Sequence, residues 1–249
     1  MSLPATEETT SGSTETIPLR RLIVAWQDPT TRAYHKVGYL EVFDGPRFRF
    51  RYDVSATQQL SGFQPFPNFP DTSYEYESPE LFPFFKNRVI SSNRLEYPTV
   101  MAALALDADA TPIELLERSG GERATDTIQI FALPEPDDRG VVKLIFPAHG
   151  VRHIPGAAER IQDLSSGDAL QFGDDVENEY NPHALLVLAG QPVGWVPDFL
   201  LGMVRPLIGS YGPYRLTVEA ASGSEVPYHF RLLCRLEVEG ASSWDPDVL

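Results

Sequence analysis

Twenty-two prolines are spread through 249 residues. Each one fixes φ and removes a backbone donor, so this spacing excludes long helices and favours short strands joined by turns. An apolar content of 42% is enough to build a core around such pieces. The length suits one large domain or two small ones. No apolar run approaches the roughly 18–20 residues of a membrane span, and no membrane partner is expected. Residues 1–17 are rich in Thr, Ser and Glu and are expected to be disordered. They have neither the basic n-region nor the apolar h-region of a signal peptide, so the chain is expected to be cytoplasmic.

From Leu19 the sequence breaks into strands: Leu22 to Trp26, Lys36 to Phe43 and Arg47 to Tyr52, with a hairpin turn at Asp44-Gly45-Pro46. In Arg47-Phe48-Arg49-Phe50-Arg51-Tyr52 basic and aromatic residues alternate at period two, which predicts a half-buried strand. Its arginine face is read as a solvated surface balanced by nearby acids rather than as a phosphate stripe. A loop rich in proline and aromatics covers residues 60–80. Helices are predicted over 97–106 and 111–118, the second with Thr111 as N-cap, Pro112 at the first helical position and Glu114 completing a capping box. Ser119-Gly120-Gly121 closes it. A strand at 127–132 and an acidic linker at 134–140 follow.

After the linker come a strand from Val141, the turn His149-Gly150-Val151-Arg152-His153, and a short helix near 156–164. Strands follow near 169–172, 184–188 and 192–196, then a helix over 197–208 and two closing strands. The reading is an α+β N-terminal domain (18–133) followed by a mainly-β, OB-like barrel (141–240) with one or two short helices, and a tail at 241–249.

Chemistry-bearing residues are sparse. A lone cysteine, Cys234, sits in an apolar strand and is read as a buried small hydrophobe, which excludes a disulfide framework or a cysteine-rich zinc site. His149 and His153 lie on a turn without a third ligand nearby. The run Asp174, Asp175, Glu177, Glu179 reads as a solvated turn. No triad or paired-carboxylate arrangement stands out, so neither an enzyme nor a cofactor or metal is expected. The net charge is −15: residues 1–149 carry 14 basic against 21 acidic side chains, the remainder 6 against 14. Such a chain lacks the basic face of a general duplex coat. A small pocket for a strand end and docking on a basic protein partner both remain compatible with that charge.

Two stretches carry resemblances. Val37-Gly38-Tyr39-Leu40, Phe50-x-Tyr52-Asp53 and Phe84-Phe85-x-Asn87-Arg88 resemble the N-terminal subdomain of HipA-type serine/threonine kinases over residues 20–132, departing at Arg88, where the family has apolar residues. The kinase lobe has no counterpart here, and the resemblance implies a separate small subdomain of the kind that neutralises or regulates a kinase. Gly150-x-Arg152-His153, Gly167-Asp168-Ala169-Leu170, Asp175 to Leu185 with Val187, and Gly194-Trp195-Val196-Pro197 resemble the HIRAN domain over residues 141–240. That resemblance implies a β-barrel binding single-stranded DNA, with a 3′-hydroxyl end buried in a groove. By position the contacting residues would be Arg152, His153, Tyr180 and Asn181. His153 and Asn181 replace a Tyr and an Asp of the family pattern. The reading requires all four to line one groove. It implies a non-enzymatic adaptor that holds a DNA end and contacts a HipA-type kinase, helicase or nuclease. The alternative is an antitoxin-like regulatory subunit that binds no DNA.

Overall fold

The computed structural model describes residues 17–123 and 126–246. The N-terminal tail expected over 1–17 lies, except for Ile17, outside the described residues. The protein is mainly β, with two antiparallel sheets and a few short helices.

The first sheet has the order β4-β3-β2-β1-β5, built from β1 (Arg20–Gln27), β2 (Tyr34–Val42), β3 (Phe48–Tyr52), β4 (Tyr76–Ser78) and β5 (Ile128–Ala132). β1 is apolar along its middle because both of its faces are covered. Leu22, Val24 and Trp26 face an aromatic core with Phe50, Phe66, Phe69 and Phe85. Ile23 and Ala25, pointing the other way, join the core of the second sheet together with Tyr39, Phe131 and Leu133. The proline-rich loop is pinned by Phe63, Phe66 and Phe69, three residues apart and all buried. Tyr52 ties it down, donating from its hydroxyl to the Phe69 carbonyl (2.9 Å) and accepting from the Phe66 N–H (2.7 Å). Burial pushes its phenol up to about 12.

Four helices flank this sheet: α1 (Val54–Gln59), α2 (Pro83–Lys86), α3 (Tyr97–Ala103) and α4 (Pro112–Ser119). α4 starts with the reciprocal Thr111–Glu114 capping box and ends on Gly120 in the left-handed region. α3 stops at Ala103, short of the predicted 106, and Ala105 carries a positive φ of 50°. α1 and β4 are short elements that sequence pattern did not mark. The arginine face of β3 meets acids, as read: Arg49 and Arg51 both donate to the buried Glu41 on β2, at 2.6 and 3.1 Å. Arg88 lies buried, its guanidinium forked onto Asp126 at 2.6 and 3.0 Å and stacked over Phe84.

The second sheet runs β6-β11-β10-β7-β8-β9, from β6 (Val142–Pro147), β7 (Ala169–Asp174), β8 (Leu185–Ala189), β9 (Gln191–Trp195), β10 (Tyr214–Ala221) and β11 (Leu232–Val238). It curls into a half-barrel. Register shifts at Val218/Ala220 and Val187/Leu188 mark bulges, which add local twist. His149, just past β6, exchanges two 2.9 Å backbone hydrogen bonds with Trp195, which draws the outer strands of the sheet together at that point. Val142, Leu144 and Phe146 alternate inward opposite Val238, Leu236 and Cys234 respectively. The Cys234 thiol is fully buried, and desolvation pushes it well above its ordinary range. α5 (Ala157–Gln162) and α6 (Leu201–Ser210) add Ala157, Ile161, Val204 and Leu207 to the same core.

Within residues 241–246, part of the stretch assigned by sequence to a tail, Ala241 and Trp244 pack into the core while Ser242, Ser243 and Asp245 are exposed. Trp244 is buried and its indole N–H donates to the Pro134 carbonyl at 3.0 Å, because a tryptophan can cover apolar surface and still satisfy its one donor. Among the described residues no helix is long and apolar enough to cross a membrane.

Candidate nucleic-acid interface

The H-G-V-R-H turn is shaped by its glycine. Gly150 has φ 69°, and a Cβ there would fall 2.4 Å from the six-membered ring of Trp195, so no other residue fits against the indole. Val151 then turns inward, and Arg152 and His153 project outward from a short 3₁₀ turn. Arg152 Nε donates to His153 Nε2 at 3.0 Å, and among the described residues Arg152 forms no ion pair. His149, at the start of the turn, packs edge-on against Phe199. A margin of its surface reaches solvent, but its imidazole is set deep among protein atoms, and this burial holds it below the usual histidine range.

The acidic turn between β7 and β8 is organised by its two asparagines. Asn178 Oδ1 accepts the N–H groups of Tyr180 and Asn181, both at 3.0 Å, and its Nδ2 donates to Asp175 Oδ2 at 2.8 Å. The same Asp175 oxygen accepts the Trp195 indole N–H at 2.8 Å. Asn181 Oδ1 accepts the His183 N–H at 2.9 Å, and its Nδ2 donates to Asp198 Oδ1 at 3.1 Å. Arg205 on α6 fastens the far side, donating to the His183 carbonyl at 2.9 Å and to Asp174 at 2.8 Å. Tyr180 stands apart from this network through its side chain, 94% exposed. Asn178 and Asn181 thus build the turn, and the turn presents Tyr180.

Beside Tyr180 and Asn181 lies a hollow of about 630 Å³, walled by Asp198, Gly202 and Arg205 and by Thr31 to Tyr34 of the β1–β2 hairpin. Pro206 within α6 has no N–H, so the Gly202 carbonyl lacks its usual helical donor on this wall. A second hollow of similar size shares Tyr34, Asp198 and Gly202 and runs on past Phe199. Burial, reinforced by Glu122 and Asp198, pushes the Tyr34 phenol up at this seam.

Arg152 and His153 do not belong to the wall beside Tyr180. The four residues expected to share one groove are divided by Trp195. Gly150 packs on one end of the indole and Asp175 is bonded to the other, so the two turns stand an indole apart. Asp198 directly follows the Gly194-Trp195-Val196-Pro197 block, but sequence reasoning ended that block at Pro197 and missed it. Nothing in the local sequence marks the 31–34 hairpin, which reaches the site only through packing.

No protein-family model matches the chain, and no curated protein matches it.

Proposed function

We propose that this protein is a non-enzymatic adaptor whose curled sheet is a HIRAN-like, OB-like barrel that binds the end of a single DNA strand. The HipA-like N-terminal part contacts a protein partner. The observation that supports this most is the turn that presents an exposed Tyr180 beside a hollow. Arg152 and His153 stand outside that hollow, so the single groove of the family pattern is given up and the strand must cross Trp195 to meet them. Tyr180 stacks on a base, a contact worth roughly 1–3 kcal/mol, and Arg152 meets a phosphate. The carboxylate that residue 181 lacks stands 3.1 Å away on Asp198, where it accepts from Asn181 and has a second oxygen to offer a terminal hydroxyl. A net charge of −15 keeps nonspecific affinity low, so recognition rests on these few contacts.

The test is fluorescence polarisation of short single-stranded oligonucleotides, with free and phosphorylated 3′ ends, over a salt series. Binding is expected at low salt, with preference for the free 3′-hydroxyl, and Tyr180→Ala and Arg152→Ala should each weaken it several-fold. Wild-type affinity in both variants would sink the reading.

The charge itself favours a second reading, an antitoxin-like regulatory subunit that docks on a basic partner such as a HipA-type kinase, a helicase or a nuclease. Co-purification with such a partner, and no oligonucleotide binding even at low salt, would select it.

A further inference from the structure

We infer that Arg32, on the β1–β2 hairpin of the N-terminal sheet, is a backbone-phosphate ligand of the strand-binding hollow, so that the site is shared between the two sheets. This rests on the single-strand reading above and adds a residue that lies far from both turns in sequence.

Three observations carry it. First, Arg32 lines the same hollow as Tyr180 and Asn181. Second, it is exposed and forms no ion pair among the described residues. Other arginines near the sheets are committed: Arg49 and Arg51 to Glu41, Arg88 to Asp126, Arg205 to Asp174. Third, Arg32 holds a backbone conformation that suits glycine or asparagine better, with φ 62°. That conformation is enforced by the turn. The Arg32 N–H donates to the Asp28 carbonyl at 2.8 Å, and its carbonyl accepts from Gln27 Nε2 at 2.9 Å. A long cation at a position where glycine would relax the chain points to a use for the side chain rather than for the turn.

The occupant that fits is a single nucleic-acid strand. The lining of the hollow includes an exposed aromatic, Tyr180, and a guanidinium with no ion pair among the described residues, Arg32, the two groups that hold a base and its phosphate. Asp198, which also lines the hollow, repels phosphate and suits a hydroxyl or a base amine, so the phosphate is assigned to Arg32 and a sugar hydroxyl to Asp198.

The full-length protein is titrated with a fluorescein-labelled oligothymidylate bearing a free 3′-hydroxyl. Arg32→Gly should weaken binding several-fold and reduce the slope of log K against log salt by about 0.7, the loss of one phosphate contact on a single strand. Its Tm should stay level or rise, because glycine relieves the left-handed backbone. Arg32→Gln should show the same loss of slope, and Arg32→Lys should recover most of it. Should Arg32→Gly bind with wild-type affinity and slope while Tyr180→Ala and Arg152→Ala weaken binding, the shared site is wrong and the strand-binding reading stands. A clear fall in Tm for Arg32→Gly would make the arginine a structural residue and likewise overturn the inference. If the wild-type protein fails to bind the oligonucleotide at low salt, both fall together, as they would if only a protein partner were captured.

Discussion

Gly150 sits with φ 69° and its α-carbon against the Trp195 ring, while the indole N–H on the other end is held by Asp175. At this scale a single methyl group is enough to part the two turns. Gly150→Ala must strain the backbone and push on the indole at once, a cost of about 2–4 kcal/mol. A urea titration should show that drop in the unfolding midpoint, with oligonucleotide binding reduced in the protein that remains folded; an unchanged midpoint would mean the indole has room to move. Arg88 makes the opposite point. An arginine where a resembling family has apolar residues looks out of place in sequence. It is accommodated because Asp126 takes its fork and Phe84 its flat face. Asp126 lies 38 positions away, so no local pattern announces the pairing.

Elements were legible where their determinants are local. Thr111, Pro112, Glu114 and Gly120 define α4 within ten residues of chain, and the structure shows that cap, box and left-handed stop. Thr111→Ala removes the acceptor for the Glu114 N–H and half of the box. It should cost about 1 kcal/mol, lowering Tm by roughly 2–4 °C in a chain of this size, and Thr111→Ser should restore it. β1 was legible as a strand from its apolar run, and the run's continuity reflects burial on both faces. The helix expected over 197–208 starts instead as a 3₁₀ turn at Asp198–Leu200 and continues as α6 to Ser210, with Pro206 inside it. Strand β4 and helix α1, of three and six residues, were missed because such short pieces have no period to read.

Over the whole molecule the two sheets are joined by one apolar cluster that takes Ile23, Ala25, Tyr39 and Phe131 from the first and Val142, Leu144 and Leu236 from the second. Calorimetry at neutral pH should therefore give one unfolding transition, and two resolved transitions would show that the seam carries little of the stability. The seam also holds His149, with Phe199 against its ring and Glu122, Asp198 and His229 acting on its charge. Burial lowers its folded pKa below the ordinary 6.5, so the unfolded chain binds the proton more readily. This contribution is whole above about pH 6.5 and is lost as pH falls below that value towards and through the lowered one. His229, lowered by its own burial, acts in the same direction. Tm should decline between pH 7 and 5, and His149→Gln should flatten the decline; an equal slope in the variant would place the effect elsewhere.

Neighbours along the chain settle the strand alternation, the α4 caps and the glycine of the 149–153 turn; that Asn178 and Asn181 build the acidic turn came only with the structure. Packing across the chain decided the rest. It set Trp195 between the two turns, dividing Arg152 and His153 from Tyr180 and Asn181, and it brought Asp198 to within hydrogen-bonding distance of Asn181. It also carried the β1–β2 hairpin, with Arg32, to the rim beside Tyr180. The physical reason is range. Caps and alternation act within a turn or two of backbone, whereas a groove is made by side chains whose sequence separation says nothing about their distance once two sheets share a core.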